Sequence, residues 1–223
     1  MKTDLEIRNN VLAELKWEPG IDETEIGVIV KDGVVTLSGQ VEHYRKKAAA
    51  NEAAKRVAGV KAVAEDIEVK YRHEYKKTDK EIARAAVDAL EWNTSIPKGE
   101  VMIFVEDGYI YLSGQLRYDY QRDAAKWAVQ NLLGVKGVVN NIELMPKAKP
   151  KNTEEVIIKA LERSAFLEAK GIRIQVDGTT VQMKGRVHSL QEKEEAEKTA
   201  YRAPGVSEVK NDIVVQLHPE FVD

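Results

Sequence analysis

Asp32-Gly33-Val34-Val35-Thr36-Leu37-Ser38-Gly39-Gln40-Val41 is the stretch that decides the fold, because it occurs three times. It returns as Asp107-Gly108-Tyr109-Ile110-Tyr111-Leu112-Ser113-Gly114-Gln115-Leu116. A weaker copy runs Asp177-Gly178-Thr179-Thr180-Val181-Gln182-Met183-Lys184-Gly185-Arg186-Val187. Each copy reads as a β-turn on its Asp-Gly pair, then a strand with alternate residues apolar, then a glycine where the strand is expected to stop. Asp-Gly ahead of an alternating run is a strong hairpin signal, because glycine reaches positive φ without steric cost. Three copies in one chain make the repeat the organising unit.

The flanking residues keep the same register. Gly39, Gly114 and Gly185 correspond, as do Gly59, Gly134 and Gly205, with steps of 75 and then 71 residues. Thr3, Thr78 and Thr153 step by 75 and 75. The third repeat is therefore expected to be shortened between its first helix and first strand, and one residue longer near Thr179-Thr180. Thr3 with Glu6, and Thr78 with Glu81, predict capping boxes that open a helix. Asp4, Asp79 and Glu154 put negative charge in the first turn, where the helix dipole favours it. Ile7, Val11 and Leu15, then Ile82, Ala86 and Leu90, then Ile157, Leu161 and Ala165 each make one helical face. Alternating runs follow: Ile26, Val28 and Val30; Val101, Ile103 and Val105; Ile172, Ile174 and Val176. A small-residue helix comes next, closed by Gly59, Gly134 or Gly205 as C-terminal glycines, and then a last strand.

Each repeat is thus read as α-β-β-α-β. The fold class is α+β: three tandem domains, each a three-stranded sheet with two helices on one face. The expected boundaries are 1–71, 76–146 and 152–218. The element order, the Asp-Gly-x-Val-x-Leu-Ser-Gly-x-Val signature, and the Gly-Val-x-x-Val ending with Asp66-Ile67, Asn141-Ile142 or Asp212-Ile213 resemble the BON domain, a family named for bacterial osmotically inducible and nodulation proteins. Repeat three departs from the signature, with Lys184-Gly185 in place of Ser-Gly. The resemblance implies a non-enzymatic protein that associates with phospholipid surfaces under osmotic or envelope stress. Two other readings stand beside it: a structural module that self-assembles through open sheet faces, and a cytoplasmic potassium sensor built from backbone carbonyls.

Composition narrows the field. Of 223 residues, 43% are hydrophobic and 32% charged, and the net charge of -3 gives no pull toward nucleic acid. Cysteine is absent, which excludes disulfides, thiol catalysis and cysteine metal sites. There is no GxSxG, Walker or dinucleotide fingerprint, so no enzyme and no cofactor is expected. His43, His73, His188 and His218 form no HxxxH or HExxH pair, and no metal site is expected. Glu192, Glu194, Glu195 and Glu197 read as a solvated helix face rather than a calcium cage. The chain opens Met1-Lys2-Thr3-Asp4-Leu5-Glu6 and enters a helical pattern at once, so a cytoplasmic location is expected, or a periplasmic one had a leader been removed. The short linkers Lys70–Lys77 and Met145–Asn152 are basic; they would act as solvated spacers or meet anionic headgroups.

With helices on one side, period two names the residues on the other side of each sheet. Repeat one presents Ile29, Val34 and Thr36, repeat two Met102, Phe104, Tyr109 and Tyr111, and repeat three Arg173, Gln175, Thr180 and Gln182. Repeat three looks adapted to water. Repeat two carries an aromatic surface that is expected to be covered, by repeat one, another protein chain, or a lipid or other apolar ligand. Trp17 and Trp92, beside Ile21 and Ile96, are expected to close the core at the helix ends; the alternative is an interfacial role at a membrane. The candidate partner-contact set is Met102, Phe104, Tyr109, Tyr111, Trp17, Trp92, Ile29 and Val34. The partners expected are the chain itself and an anionic phospholipid surface.

Overall fold

The computed structural model describes residues 2–71, 76–145, 152–164 and 171–216. Ala165, His73, His218, residues 72–75 of the first basic linker and 146–151 of the second lie outside the described residues. Repeat one is α1 (Asp4–Trp17), β1 (Ile26–Lys31), β2 (Val34–Val41), α2 (Tyr44–Arg56) and β3 (Ala62–Val69). Repeat two is α3 (Asp79–Trp92), β4 (Val101–Glu106), β5 (Tyr109–Leu116), α4 (Asp119–Gln130) and β6 (Gly137–Leu144). Repeat three is α5 (Thr153–Glu162), β7 (Arg173–Asp177), β8 (Thr180–Val187), α6 (Leu190–Tyr201) and β9 (Glu208–Val215).

Each sheet has its strands in chain order, so the second strand is central. The first two strands form an antiparallel hairpin, β4 on β5 with Phe104 opposite Tyr111, and β7 on β8 with Gln175 opposite Gln182. The third strand is parallel to the second in repeats two and three. A parallel neighbour needs a crossover, which is why a helix separates the two strands in sequence. Both helices of a repeat bury one face on one side of its sheet. Ile7, Val11 and Leu15 of α1 are buried with Ala50, Ala53 and Ala54 of α2 and with Val35 and Leu37 of β2. In repeat three Ile157, Leu161, Val181, Met183, Ala196 and Ala200 belong to one buried cluster. Alanines let the crossover helix lie close to the strands.

Three expectations about the repeated stretch are corrected. The second strand does not stop at its glycine: β2, β5 and β8 run two residues past Gly39, Gly114 and Gly185. A Cβ at these positions would collide with the carbonyl oxygen of Glu25, Glu100 or Gly171, just ahead of the first strand. Gly39 and Gly114 also take φ of 137° and 135°, so glycine is needed for close approach rather than for termination. The third copy's turn is also not on Asp177-Gly178. Asp177 pairs with Thr180, and Gly178-Thr179 makes the two-residue loop. Asp32 and Gly33 both have positive φ (54° and 80°), as a type I′ turn requires, whereas in repeat three Gly178 has φ 60° and is the positive-φ residue of its turn, as in type II′. Finally, the loop has the same two-residue length in all three hairpins, so no residue is inserted near Thr179-Thr180.

The capping boxes form as expected. The Thr3 and Thr78 hydroxyls accept from the Glu6 and Glu81 amides at 3.2 and 3.3 Å, and the glutamates accept back from the threonine N–H groups. Asp4 and Asp79 do more than answer the dipole. The Asp4 carboxylate accepts from the Asp32 and Gly33 N–H groups at 2.8 and 3.0 Å. Asp79 does the same with Asp107 and Gly108, both at 2.9 Å. A helix N-terminus is thereby clasped to the hairpin turn. Glu154, at the equivalent place in repeat three, is exposed. There the Ser207 hydroxyl donates to Thr179 at 2.9 Å instead, tying β9 to the turn.

Asp79→Ala is expected to destabilise repeat two by about 1–3 kcal/mol, the cost of orphaning hydrogen-bonded backbone donors, read as a lower urea midpoint; Glu154→Ala should leave the midpoint within experimental error. The backbone N–H and hydroxyl of the capping threonines hold the Glu6 and Glu81 carboxyls below the usual range. A carboxylate with a depressed folded pKa stabilises above its unfolded pKa and loses that contribution as pH falls through the folded value. Acid titration of the urea midpoint should therefore show a drop that is reduced in Glu6→Gln with Glu81→Gln.

Candidate functional site

The open face of repeat two is exposed in the chain on its own. Met102 is 64%, Phe104 59% and Tyr109 40% accessible. The Phe104 and Tyr111 rings lie 5.7 Å apart across the hairpin, tilted by 42°. Tyr109 lies against Gly137 of β6, where a Cβ would overlap the ring at 2.7 Å. The glycine gives the tyrosine a flat seat on the sheet, and Val139 extends the apolar patch along β6. In repeat one Ile29 and Val34 are exposed on the same side. In repeat three that side is cross-linked by polar bonds: Thr180 donates to Glu208 at 3.0 Å and Gln182 to Asp212 at 2.9 Å. The contrast expected from the outward residues is thus carried in the structure by different bonding.

Trp17 and Trp92 do not close the core; they are 84% and 88% exposed. Each ends its helix two residues after the last buried position, Leu15 or Leu90, which rotates its side chain off the buried stripe. In repeat two, buried Ile96 takes the place at the core's end. Trp127 of α4, which sequence patterning did not single out, is 64% exposed, so all three tryptophans face solvent.

The described residues divide into two compact units. One gathers repeat three with most of repeat one. The other is repeat two with Val41–Lys47 and the end of β3. Within the first, the turn after α2 meets the loop between β8 and α6: the Gly59 N–H donates to the His188 carbonyl at 2.9 Å. Lys55 pairs with Glu194 at 2.7 Å. Burial alone would lower the Lys55 ammonium, but the Glu194 and Glu52 carboxylates outweigh it and hold the pKa above its ordinary value. Beside this contact lies a cavity of about 800 Å³, lined by Lys2, Lys61 and Lys193 together with Leu190 and Val214. Within the second unit the Tyr71 hydroxyl, just past β3, donates to the Val135 carbonyl at 2.7 Å. Its ring sits 5.6 Å from His43, in the loop between β2 and α2. Burial pushes the Tyr71 phenol up.

The acidic run on α6 is not a merely solvated face. Glu194 pairs with Lys55, Glu195 with Arg202 at 3.3 Å, the Glu192 carboxylate accepts from the His188 N–H at the start of its own helix, and Glu197 accepts from Asn211. Among the described residues no cluster of three or more His, Cys, Asp or Glu side chains could hold a metal ion. No described helix is long and apolar enough to cross a membrane.

The BON domain family model matches residues 3–71, 78–146 and 151–216. Osmotically-inducible protein Y of Escherichia coli (strain K12) is 30% identical over 149 residues, which cover 63% of this chain and 72% of that one. Among solved structures, CdsD, a structural protein of the type III secretion system of Chlamydia trachomatis, is 15% identical with coverage of 96% and 94% and a TM-score of 0.27. The structure of its C-terminal domain gives 14%, coverage of 97% and 100%, and 0.25. Scores that low carry no argument.

Tyr71→Phe is expected to cost about 1 kcal/mol, since it removes one hydrogen bond and strands a half-buried carbonyl. A phenol whose folded pKa is raised stabilises below its unfolded pKa and loses that contribution as pH rises through the folded value. The wild type should therefore lose chemical stability above about pH 10 relative to the phenylalanine variant; a constant difference across that range would contradict the burial of the hydroxyl.

Proposed function

The chain belongs to the BON-domain family, with three copies in tandem, and from that premise we propose that it is a non-enzymatic stress-associated protein whose repeat two engages phospholipid surfaces through its open sheet face. The single observation that carries this reading is the exposed Met102, Phe104 and Tyr109 beside Tyr111, on a sheet side that repeat three fills with polar cross-strand bonds. Fully burying such a side chain contributes roughly 1.5–3 kcal/mol. A soluble chain that leaves several together on one rigid surface gains that contribution when an apolar phase meets it. Trp17, Trp92 and Trp127 add exposed rings of the type that settle at headgroup depth. Ile29 and Val34 offer a smaller patch of the same kind on repeat one. The association with osmotic stress comes from the name of the relative in Escherichia coli.

Flotation with vesicles tests the reading. The wild type is expected to co-float with mixed phosphatidylglycerol and phosphatidylcholine vesicles at low salt. Met102→Ser with Phe104→Ser should lower its partition coefficient by roughly tenfold or more, the equivalent of about 1.4 kcal/mol or more of lost apolar burial. Gln175→Ser with Gln182→Ser, on the same side of the sheet in repeat three, should leave partition unaltered. A wild type that stays at the bottom of the gradient with every vesicle composition would sink the proposal.

A further inference from the structure

Among the described residues, two contacts between repeats join the same two kinds of surface through different bonds. On one side of each is the loop between second strand and second helix, with the residue just past the third strand. On the other is the turn between second helix and third strand. We call these the front and the back of a repeat. Repeat three sets its front, at His188 and Leu190, beside Gly59 on the back of repeat one. Repeat one sets its front, at His43 and Tyr71, on Val135 at the back of repeat two.

Both surfaces share backbone hydrogen bonds in all three repeats. On the fronts, the residue after the third strand donates to the end of the second: Lys70 to Val41, Met145 to Leu116 and Gln216 to Val187, each at 2.8 Å. On the backs, Gly59, Gly134 and Gly205 take φ of 96°, 90° and 90°. Lys61, Lys136 and Ser207 then donate to the hairpin turn at Gly33, Gly108 and Thr179, each at 2.9 Å. Two fronts and two backs are engaged within the chain. The front of repeat two and the back of repeat three each present exposed side chains.

The front of repeat two is apolar and aromatic at three exposed side chains. Tyr118 is 54%, Tyr120 58% and Met145 56% exposed, and the tyrosine rings stack at 5.6 Å with 16° between their planes. Tyr118 stands at the position His43 takes in repeat one, next to the engaged contact. The back of repeat three offers Pro204, exposed, ahead of Gly205 in the conformation that receives a front elsewhere in the chain. Rigid aromatics of this kind are the residues that interfaces concentrate.

We propose that the front of repeat two in one copy docks on the back of repeat three in another, continuing between chains the front-to-back pairing found twice inside each. Front and back are different surfaces, so the contact is heterologous and joins copies head to tail.

Sedimentation across a dilution series tests this. The weight-average mass of the wild type is expected to rise with concentration past twice the chain mass. Tyr118→Asp with Tyr120→Asp blocks the front, and Pro204→Glu blocks the back; each variant alone should remain at the mass of one chain. Mixed in equal amounts, the two should give a species of two chains and nothing larger, because one intact front meets one intact back. That rescue also shows that both variants fold. A wild type fixed at one chain mass, growth that stops at a dimer, variants that assemble like the wild type, or a mixture that stays monomeric would each overturn the proposal.

Discussion

A three-stranded sheet with helices on one side only has a bare second side, and the organisation of this protein follows from that constraint. Within a repeat the covered side is almost invariant in character: β-branched and leucine side chains from the central strand meet an aliphatic stripe on one helix and alanines on the other. The bare side is free to vary, because its residues do not decide whether the repeat folds. Repeat three uses it for polar cross-strand bonds, and repeat two for an aromatic and methionine surface. Function is therefore sought on the positions between the fixed letters of the repeated stretch, which is where the three copies differ most.

The elements, their order and the buried faces were legible because each rests on local periodicity. Capping boxes at Thr3 and Thr78 and alternation around Val35 and Ile110 are decided within a few residues of chain. What was not legible depends on parts that meet from far away. Gly39 was read as a stop, yet its role is set by the Glu25 carbonyl that passes over it. Asp4 was read as a dipole charge, yet its carboxylate binds a turn 28 residues on. The Asp177-Gly178 pair looked like the other two turns, and strand pairing moved the turn one residue further along.

The candidate site was half legible for the same reason. Alternation named the outward residues of repeat two correctly, since a strand's two faces are fixed by its pleat. Whether that face is covered is a tertiary question, and it is exposed. Trp17 and Trp92, beside Ile21 and Ile96, were expected to close the core at the helix ends, although their angular position on the helix argues otherwise. The contacts at Gly59 and His188, and at Tyr71 and Val135, had no sequence signal beyond the conserved spacing of the glycines within the chain.

The exposed side of repeat two and the polar side of repeat three make a differential claim within one molecule, so one experiment can address both. Hydrogen exchange of the intact chain, with and without anionic phospholipid vesicles, reads every repeat at once. Slowed exchange confined to β4 and β5, with β7 and β8 unchanged, is the expected result. Equal slowing in all three repeats, or slowing led by repeat three, would contradict the assignment of the surface-binding role to the aromatic face.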